Sequence, residues 1–135
     1  MYKIAVVDDD KSWCYAIQRF FRKDFQVVSF NKVSFFLDHL DDYDLVFVDY
    51  SIPCAIYEDD LEGCELIRYL KTTLKNPPLV VLMSAFVSKN DVQLGKELCP
   101  EADAFFPKDA GLDELLQRTK LLLDSRSPKS DEVKD

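Results

Sequence analysis

Five short runs rich in β-branched and aromatic residues limit the folds that this chain can adopt. They are Lys3 to Val7, Gln26 to Phe30, Asp44 to Val48, Leu79 to Met83 and Ala102 to Phe106. Several of these runs are apolar at consecutive positions and do not alternate with polar residues, which is typical of parallel strands covered on both faces. The runs therefore predict a buried, parallel β-sheet.

Helical apolar stripes lie between and after the predicted strands, with apolar residues three or four positions apart. Asn31 is a candidate cap for the second helix, and Ser88 or Asn90 for the shorter fourth one. The stripes comprise Trp13, Cys14, Ile17, Phe20 and Phe21; Val33, Phe36, Leu37 and Leu40; Leu66, Ile67, Leu70 and Leu74; Val92, Leu94 and Leu98; and Leu112, Leu115, Leu116, Thr119, Leu122 and Leu123. Strands that alternate with helices predict an α/β domain of the (βα)5 type with right-handed crossovers.

The size and charge of the chain restrict its function. Its 135 residues, 47% of them hydrophobic, fit one folded domain. Lys and Arg number 17 against 25 Asp and Glu, a net charge of −8, so the electrostatic field repels nucleic acid and anionic lipid. We therefore expect neither direct nucleic-acid binding nor membrane association. Ser125 to Asp135 contain one aliphatic residue, Val133, which predicts a domain over residues 1–124 and a polar tail or linker over residues 125–135.

The cysteines and the N-terminus indicate the cellular setting. The 4 Cys form no Cys-x-x-Cys pair, and His39 is the single histidine, which disfavours a zinc site. The chain opens without the pattern of a signal peptide, and its longest aliphatic stretch, Leu79 to Met83, is too short to span a bilayer. We expect a soluble, cytoplasmic protein with reduced thiols.

Polar side chains stand at the ends of four predicted strands. Asp8, Asp9 and Asp10 follow the first strand, Asp49 the third, Ser84 the fourth and Lys108 the fifth. In open parallel sheets, ligands bind beyond the carboxyl ends of the strands, where the chain order reverses. Carboxylates that lie close together repel each other unless a cation shares the site, and oxygen ligands suit Mg²⁺. The sequence therefore predicts a magnesium site at this edge of the sheet.

The same residues suit phosphoryl transfer. An aspartate beside a divalent cation is a competent nucleophile that forms an acyl phosphate by in-line attack. The Lys108 ammonium can balance the phosphoryl charge, and the Ser84 hydroxyl can donate a hydrogen bond to a phosphoryl oxygen. These residue types favour a site that carries or transfers phosphate.

Four motifs, in this order and each at a predicted strand end, resemble those of response-regulator receiver domains, the phosphoacceptor modules of two-component signalling. They are Val6-Val7-Asp8-Asp9-Asp10, Val46-Phe47-Val48-Asp49-Tyr50-Ser51-Ile52-Pro53, Leu82-Met83-Ser84-Ala85 and Phe105-Phe106-Pro107-Lys108. With this resemblance we predict a doubly wound, five-stranded parallel sheet of strand order 2-1-3-4-5, flanked by five helices. The resemblance also implies a signalling module that catalyses only its own phosphorylation and dephosphorylation, and is otherwise not an enzyme.

The resemblance assigns the phosphorylation chemistry to particular positions. It makes Asp49 the phosphoacceptor. It assigns Asp8, Asp9 and Asp49 to the Mg²⁺ ion, with the backbone carbonyl of Ser51 completing the protein ligands.

Other positions receive switching and tuning roles from the resemblance. Ser84 becomes the switch hydroxyl, Lys108 the lysine that pairs with the phosphate, and Phe105 the aromatic whose rotamer reports activation. Ser51 and Phe86 would tune the lifetime of the phosphoryl group. Since Phe86 is a bulky ring two residues after Ser84, we hypothesise that it hinders an attacking water and slows self-dephosphorylation, so Phe86→Ala should shorten the phosphoryl lifetime.

Two further features depart from the family pattern. The stretch from Pro53 to Gly63 is longer than usual, which we interpret as an insertion at Cys54 to Asp60 close to the site. Lys108 is followed by Asp109, where the family commonly has a proline. The placement of Lys108 must therefore depend on other parts of the structure.

The resemblance implies partners and leaves alternatives open. The phosphodonor would be a sensor histidine kinase, a phosphotransfer protein or a small phosphodonor, and the output would act on a downstream effector protein or domain. A phosphorylation-dependent homodimer also stays open. One alternative is a degenerate receiver that binds partners without phosphate. Another is a haloacid-dehalogenase-like phosphatase, suggested by Asp8-Asp9-Asp10 before Ser12, although the acidic pair that such enzymes need after the lysine is missing.

Overall fold

Five strands and four α-helices make up the part of the chain that the computed structural model describes, which is residues 1–50, 63–85, 97 and 99–124. In chain order they are β1 (Lys3–Val7), α1 (Lys11–Phe21), β2 (Gln26–Phe30), α2 (Val33–Asp38), β3 (Leu45–Asp49), α3 (Gly63–Thr73), β4 (Leu79–Ser84), β5 (Ala104–Pro107) and α4 (Leu112–Leu123). A short 3-10 helix, Lys108–Ala110, follows β5 directly.

The strands form one parallel sheet of order β2-β1-β3-β4-β5, which confirms the predicted α/β fold and strand order. β1 pairs with both β2 and β3, so that Val7 lies opposite Phe30 on one side and Val48 on the other. The chain order reverses between β1 and β3, and the carboxyl ends of these two strands are neighbours. This is the edge where α/β sheets bind ligands.

Both faces of the sheet are buried, which explains the consecutive apolar residues in its strands. One face packs on α1 and α4, through residues that include Ile17, Phe21, Leu115 and Leu123. The other face packs on α2 and α3, through residues that include Val33, Phe36, Leu66, Ile67 and Leu70. Every residue of β3 is buried, as expected for a central parallel strand.

Two details of the helices differ from the prediction. The N-cap position of α2 is Lys32, which makes no side-chain capping bond, so the predicted cap at Asn31 is wrong. In α1, Cys14, Ile17 and Phe21 are buried, whereas Phe20 is 36% exposed. The predicted stripe was wider than the helix face that the sheet covers.

The limits of three strands also shift by one or two residues. β3 and β4 extend to Asp49 and Ser84, which pair with Met83 and Pro107. β5 begins at Ala104 because Asp103 closes the preceding turn: its N–H donates to Val80 O at 2.8 Å, and its carboxylate accepts from Val80 N at 2.7 Å.

Three predicted segments lie outside the described residues. They are the helix after Ser88 or Asn90, the insertion at Cys54 to Asp60 and the tail over residues 125–135. Among the described residues, each helix is too short or too polar to cross a membrane.

Candidate functional site

Asp8 is fixed at the carboxyl end of β1 by backbone and side-chain contacts. Its N–H donates to Phe30 O at 3.0 Å, extending the ladder by one residue. Its side chain is fully buried, and Oδ1 accepts a hydrogen bond from Asp10 N at 2.9 Å. Cys14 Sγ, in the first turns of α1, donates to Asp8 O at 3.3 Å. The Asp8 carboxylate is therefore held by both the strand end and the helix that follows.

Asp49 ends β3 next to Asp8, and a close backbone contact fixes it. Tyr50 N donates to Met83 O at 2.7 Å, and Gly63 N donates to Tyr50 O at 2.9 Å. Gly63 lies directly against the backbone of Asp49, where a Cβ atom would stand only 2.2 Å from Asp49 O. The first residue of α3 must therefore be very small.

The structure brings Asp8, Asp9 and Asp49 together. One oxygen from each carboxylate lies within 4.8 Å of the others. Asp8 and Asp49 are buried, and Asp9 is exposed. Asp10 lies outside this group, because its side chain caps α1 by accepting from Trp13 N at 3.2 Å. The assignment of the three carboxylates to a metal ion stays a prediction that this arrangement supports.

Lys108 joins the two strand ends electrostatically. Its Nζ lies 2.8 Å from Asp8 Oδ2 and 3.5 Å from Asp49 Oδ1. The same atom lies 5.4 Å from the centre of the Trp13 ring. Lys108 begins the 3-10 helix immediately after β5, so its side chain starts from the edge of the sheet that carries the aspartates.

Burial and charge change the acidity of these groups. Burial, followed by the charge of Asp8, raises the pKa of Asp49 to about 6 even though Lys108 opposes this. Burial also raises the pKa of Asp8, with Lys108 again opposing. For Lys108, burial lowers the pKa, but the contact with Asp8 and the charge of Asp49 outweigh burial and raise it. It is therefore unfavourable for Asp8 and Asp49 to be ionised at the same time.

The donor set fits a hard divalent cation. Asp8 Oδ2 is buried and accepts no hydrogen bond of regular geometry from the described residues; its contact with Lys108 is an ion pair. The three carboxylates of the group offer oxygen ligands, which Mg²⁺ prefers. One ammonium opposes three carboxylates, so a bound dication would remove most of the repulsion between them.

The other predicted residues are placed less directly. Ser84 is the buried last residue of β4, opposite Pro107 and thus beside the start of the Lys108 turn. Phe105 is 4% exposed and belongs to the core on the α2 and α3 face. Ser51 and Phe86 lie outside the described residues, so their roles stay predictions.

Three contacts of the site were missed in the sequence analysis, which assigned Trp13 and Cys14 only to a core stripe and gave Gly63 no role. Trp13 and Cys14 lie in the first turn of the helix after β1, and that turn must start at the edge of the sheet where Asp8 follows the strand. Burial and the charges of Asp8 and Asp10 raise the pKa of Cys14 to about 12, so the thiol stays protonated and donates to Asp8 O.

Comparisons with known proteins agree with this geometry. The model of the response regulator receiver domain family matches residues 4–120. The chain is 33% identical to the response regulator MprA of Mycobacterium avium, over 96% of this chain and 54% of that protein. The chain thus spans about half the length of this relative.

Solved structures of receiver domains are similar over most of the chain. The BeF3-activated DrrB receiver domain superposes with a TM-score of 0.75 at 29% identity, over 92% of this chain and 98% of that one. The structure of response regulator DrrB, a Thermotoga maritima OmpR/PhoB homologue, gives a TM-score of 0.74 at 29% identity over 92% of this chain and 53% of that one. The receiver domain of Francisella response regulator 1452 gives 0.71 at 25% identity, with 92% and 98% covered.

Proposed function

This chain belongs to the response regulator receiver domain family and is the receiver domain of a two-component response regulator, and on that premise we propose that Asp49 is its phosphoacceptor. One carboxylate oxygen of Asp49 attacks the phosphorus of a donor while the bond to the donor's leaving group breaks on the opposite side. The product is an acyl phosphate on Asp49, and the leaving group departs with the electron pair of the broken bond.

The observation that carries this proposal is the environment of the Asp49 carboxylate. It is buried, stands within 4.8 Å of carboxylate oxygens of Asp8 and Asp9, and has the Lys108 ammonium at 3.5 Å. The side chains of Asp8, Asp9 and Asp49 would hold Mg²⁺ together with the carbonyl of Ser51. The bound ion would supply positive charge to offset the charge that develops on the phosphoryl oxygens. Lys108 balances the remaining charge as the acyl phosphate forms.

We also propose that Ser84 and Phe105 convert this chemistry into a change of shape. A phosphoryl group on Asp49 attracts the Lys108 ammonium and the Ser84 hydroxyl, and both residues lie at the ends of the paired strands β4 and β5. Movement there changes the packing of Phe105 and shifts a two-state equilibrium. NMR shifts of β4 and β5 amides test this: Ser84→Ala should take up phosphate but respond less, and an undiminished response would contradict the role of Ser84.

Intact-mass analysis tests the acceptor. The chain is incubated with Mg²⁺ and acetyl phosphate, and we expect wild type to gain the mass of one phosphoryl group. Asp49→Asn should gain none, because the amide lacks the nucleophilic oxygen. Asp10→Asn is the matched control, since it removes a carboxylate two residues from Asp8 while asparagine still caps α1. This control should gain phosphate like wild type.

Three other results of this experiment would contradict the proposal. A phosphate adduct that persists in Asp49→Asn would remove Asp49 from its assigned role. A wild-type chain that gains no phosphate would favour the degenerate receiver. Continuous release of phosphate from small substrates, well beyond one equivalent per chain, would favour the phosphatase alternative and contradict a module that acts only on itself.

We propose further that residues 1–124 form the receiver and residues 125–135 a polar tail or linker, since the family match ends at residue 120. A sensor histidine kinase or phosphotransfer protein would supply the phosphoryl group in the cytoplasm, and an effector protein or domain would receive the signal. The lifetime roles of Ser51 and Phe86 belong to the same proposal.

A further inference from the structure

Lys108 has a third neighbour besides the two carboxylates, and it is the indole of Trp13. Lys108 Nζ lies 5.4 Å from the centre of the indole ring, within the range of a cation–π interaction. The Lys108 side chain is only 13% exposed, so the contact is largely shielded from water. Cation–π interactions are stronger when they are shielded in this way. The ammonium is thus bounded by Asp8, Asp49 and an aromatic ring.

We propose that Trp13 is a positioning residue for Lys108 in the phosphorylation reaction, an inference that rests on the proposed function. Lysine carries its charge on a long, flexible stem, and the residue after Lys108 is Asp109 in a short 3-10 helix. The indole restricts the ammonium to the side of the site that faces Asp8 and Asp49. When Asp49 becomes phosphorylated, the ammonium remains close enough to pair with the phosphoryl group.

Trp13 is itself fixed to the site by its neighbours in α1. The backbone N–H of Trp13 donates to the capping carboxylate of Asp10 at 3.2 Å, and the Sγ of the next residue, Cys14, donates to Asp8 O at 3.3 Å. The helix turn that carries the indole is therefore bonded to the same strand end that carries the Asp8 carboxylate. An indole ring that is held by these hydrogen bonds can limit the movement of the Lys108 ammonium.

A purely structural role for Trp13 is the competing explanation, because the side chain is partly buried against the α1 and α4 core. Its indole N–H, however, is buried and has no hydrogen-bond partner among the described residues. An unpaired buried donor is unfavourable, and a leucine or phenylalanine would pack without one. The contact of the ring face with Lys108 gives a reason for tryptophan at this position that packing alone does not.

Fluorescence tests the pairing without phosphorylation. Trp13 is the single tryptophan of the chain, so its emission reports its surroundings directly. Lys108→Gln should change the emission maximum or intensity, because a charge leaves the ring face. Lys120→Gln is the control: Lys120, in α4, pairs with Asp24 at 3.4 Å, and this substitution should leave the emission unchanged. Identical emission in wild type and Lys108→Gln would overturn the pairing.

Phosphorylation rates test the positioning. With Mg²⁺ and acetyl phosphate, Trp13→Leu should slow phosphate uptake about three- to tenfold, and Trp13→Phe, which retains an aromatic face, only about twofold. Phe25→Leu is the control for the loss of an aromatic ring from the same core and should react at the wild-type rate. In a Lys108→Gln background, Trp13→Leu should cause no further loss, because the effect acts through Lys108.

The possible outcomes separate the two proposals. Equal rates for Trp13→Leu and Phe25→Leu, or a full additional loss in the Lys108→Gln background, would show that Trp13 does not act through Lys108. Phosphate uptake by wild type would still stand in that case. If wild type takes up no phosphate, the proposed function fails, whereas the fluorescence comparison still decides whether Trp13 and Lys108 are paired.

Discussion

The charged form of the Asp49 carboxylate is disfavoured at its position when no metal ion is bound. Burial and the neighbouring Asp8 raise its pKa from 3.8 to about 6, so the folded protein binds this proton more tightly than the unfolded chain does. The contribution of Asp49 to stability is therefore most favourable below its unfolded pKa. It declines as the pH rises through about 6.

We expect Asp49→Asn to be more stable than wild type in metal-free buffer at about pH 8, and the difference to shrink toward about pH 4. Urea denaturation across this range measures it. Asp41 provides a control of opposite sign, because its contact with Lys3 lowers the pKa of the carboxyl. Asp41→Asn should lose stability relative to wild type as the pH rises. A difference for Asp49→Asn that stays constant with pH would contradict the raised pKa.

Individual residues show which parts of the site a sequence can reveal. The positions of Asp8, Asp49 and Lys108 follow from a simple rule, because residues after parallel strands meet at one edge of the sheet. The contact between Trp13 and Lys108 does not follow from that rule. It depends on the direction of two side chains that are distant in sequence, and the apolar pattern of α1 equally suited a core position for Trp13.

At the level of elements, the start of α3 is bound closely to the end of β3. A Cβ atom on Gly63 would lie 2.2 Å from Asp49 O and 3.0 Å from Val48 Cγ1, and a backbone carbonyl in a central strand cannot turn away. Gly63→Ala should therefore displace α3 or Asp49, with a loss of stability of about 1–3 kcal/mol. Phosphate uptake should also slow, because the proposed nucleophile, Asp49, would be misplaced.

Gly111 provides the matched control for this prediction. Its φ is +96°, where a side chain is strained, but a Cβ atom there would meet nothing within 4 Å. Gly111→Ala should cost about 1–3 kcal/mol of stability through backbone strain and leave phosphate uptake unchanged. Denaturation and intact-mass kinetics on both variants distinguish the two cases. Wild-type uptake by Gly63→Ala would contradict the proposed coupling of α3 to Asp49.

The elements themselves were largely predictable because buried parallel strands and amphipathic helices have different apolar periods. The limits of β1 and β2 match the prediction. The start of β5 does not match. Asp103 precedes the strand and closes a turn with Val80, and this depends on a partner 23 residues away in the chain.

At the scale of the whole molecule, the acidic site should respond to magnesium. A ligand that binds only the folded state stabilises it, by about 1.4 kcal/mol at ten times its Kd. We expect Mg²⁺ to raise the melting temperature of wild type, compared with NaCl of equal ionic strength. Asp9→Asn should reduce this gain, because it removes an exposed member of the three-carboxylate group. Asp10→Asn should retain it, and equal gains for both variants would contradict the assigned ligands.

The architecture of the whole domain could be predicted only in part from composition and periodicity. Alternation of strands and helices predicted a (βα)5 domain, but it did not fix the order of the strands. That order came with the resemblance of the four motifs to receiver domains. In the structure β1 and β3 are neighbours, as this order requires.

The end of α4 lies far from the proposed phosphorylation site. Tyr2, just before β1, donates from its hydroxyl to Leu123 O at 2.7 Å, so the chain leaves the domain at the amino end of the sheet. Asp49 stands at the other end, about 17 Å away along a five-residue strand. A fluorescent protein fused directly after residue 124 would therefore begin at the edge of the sheet opposite the proposed phosphoacceptor Asp49.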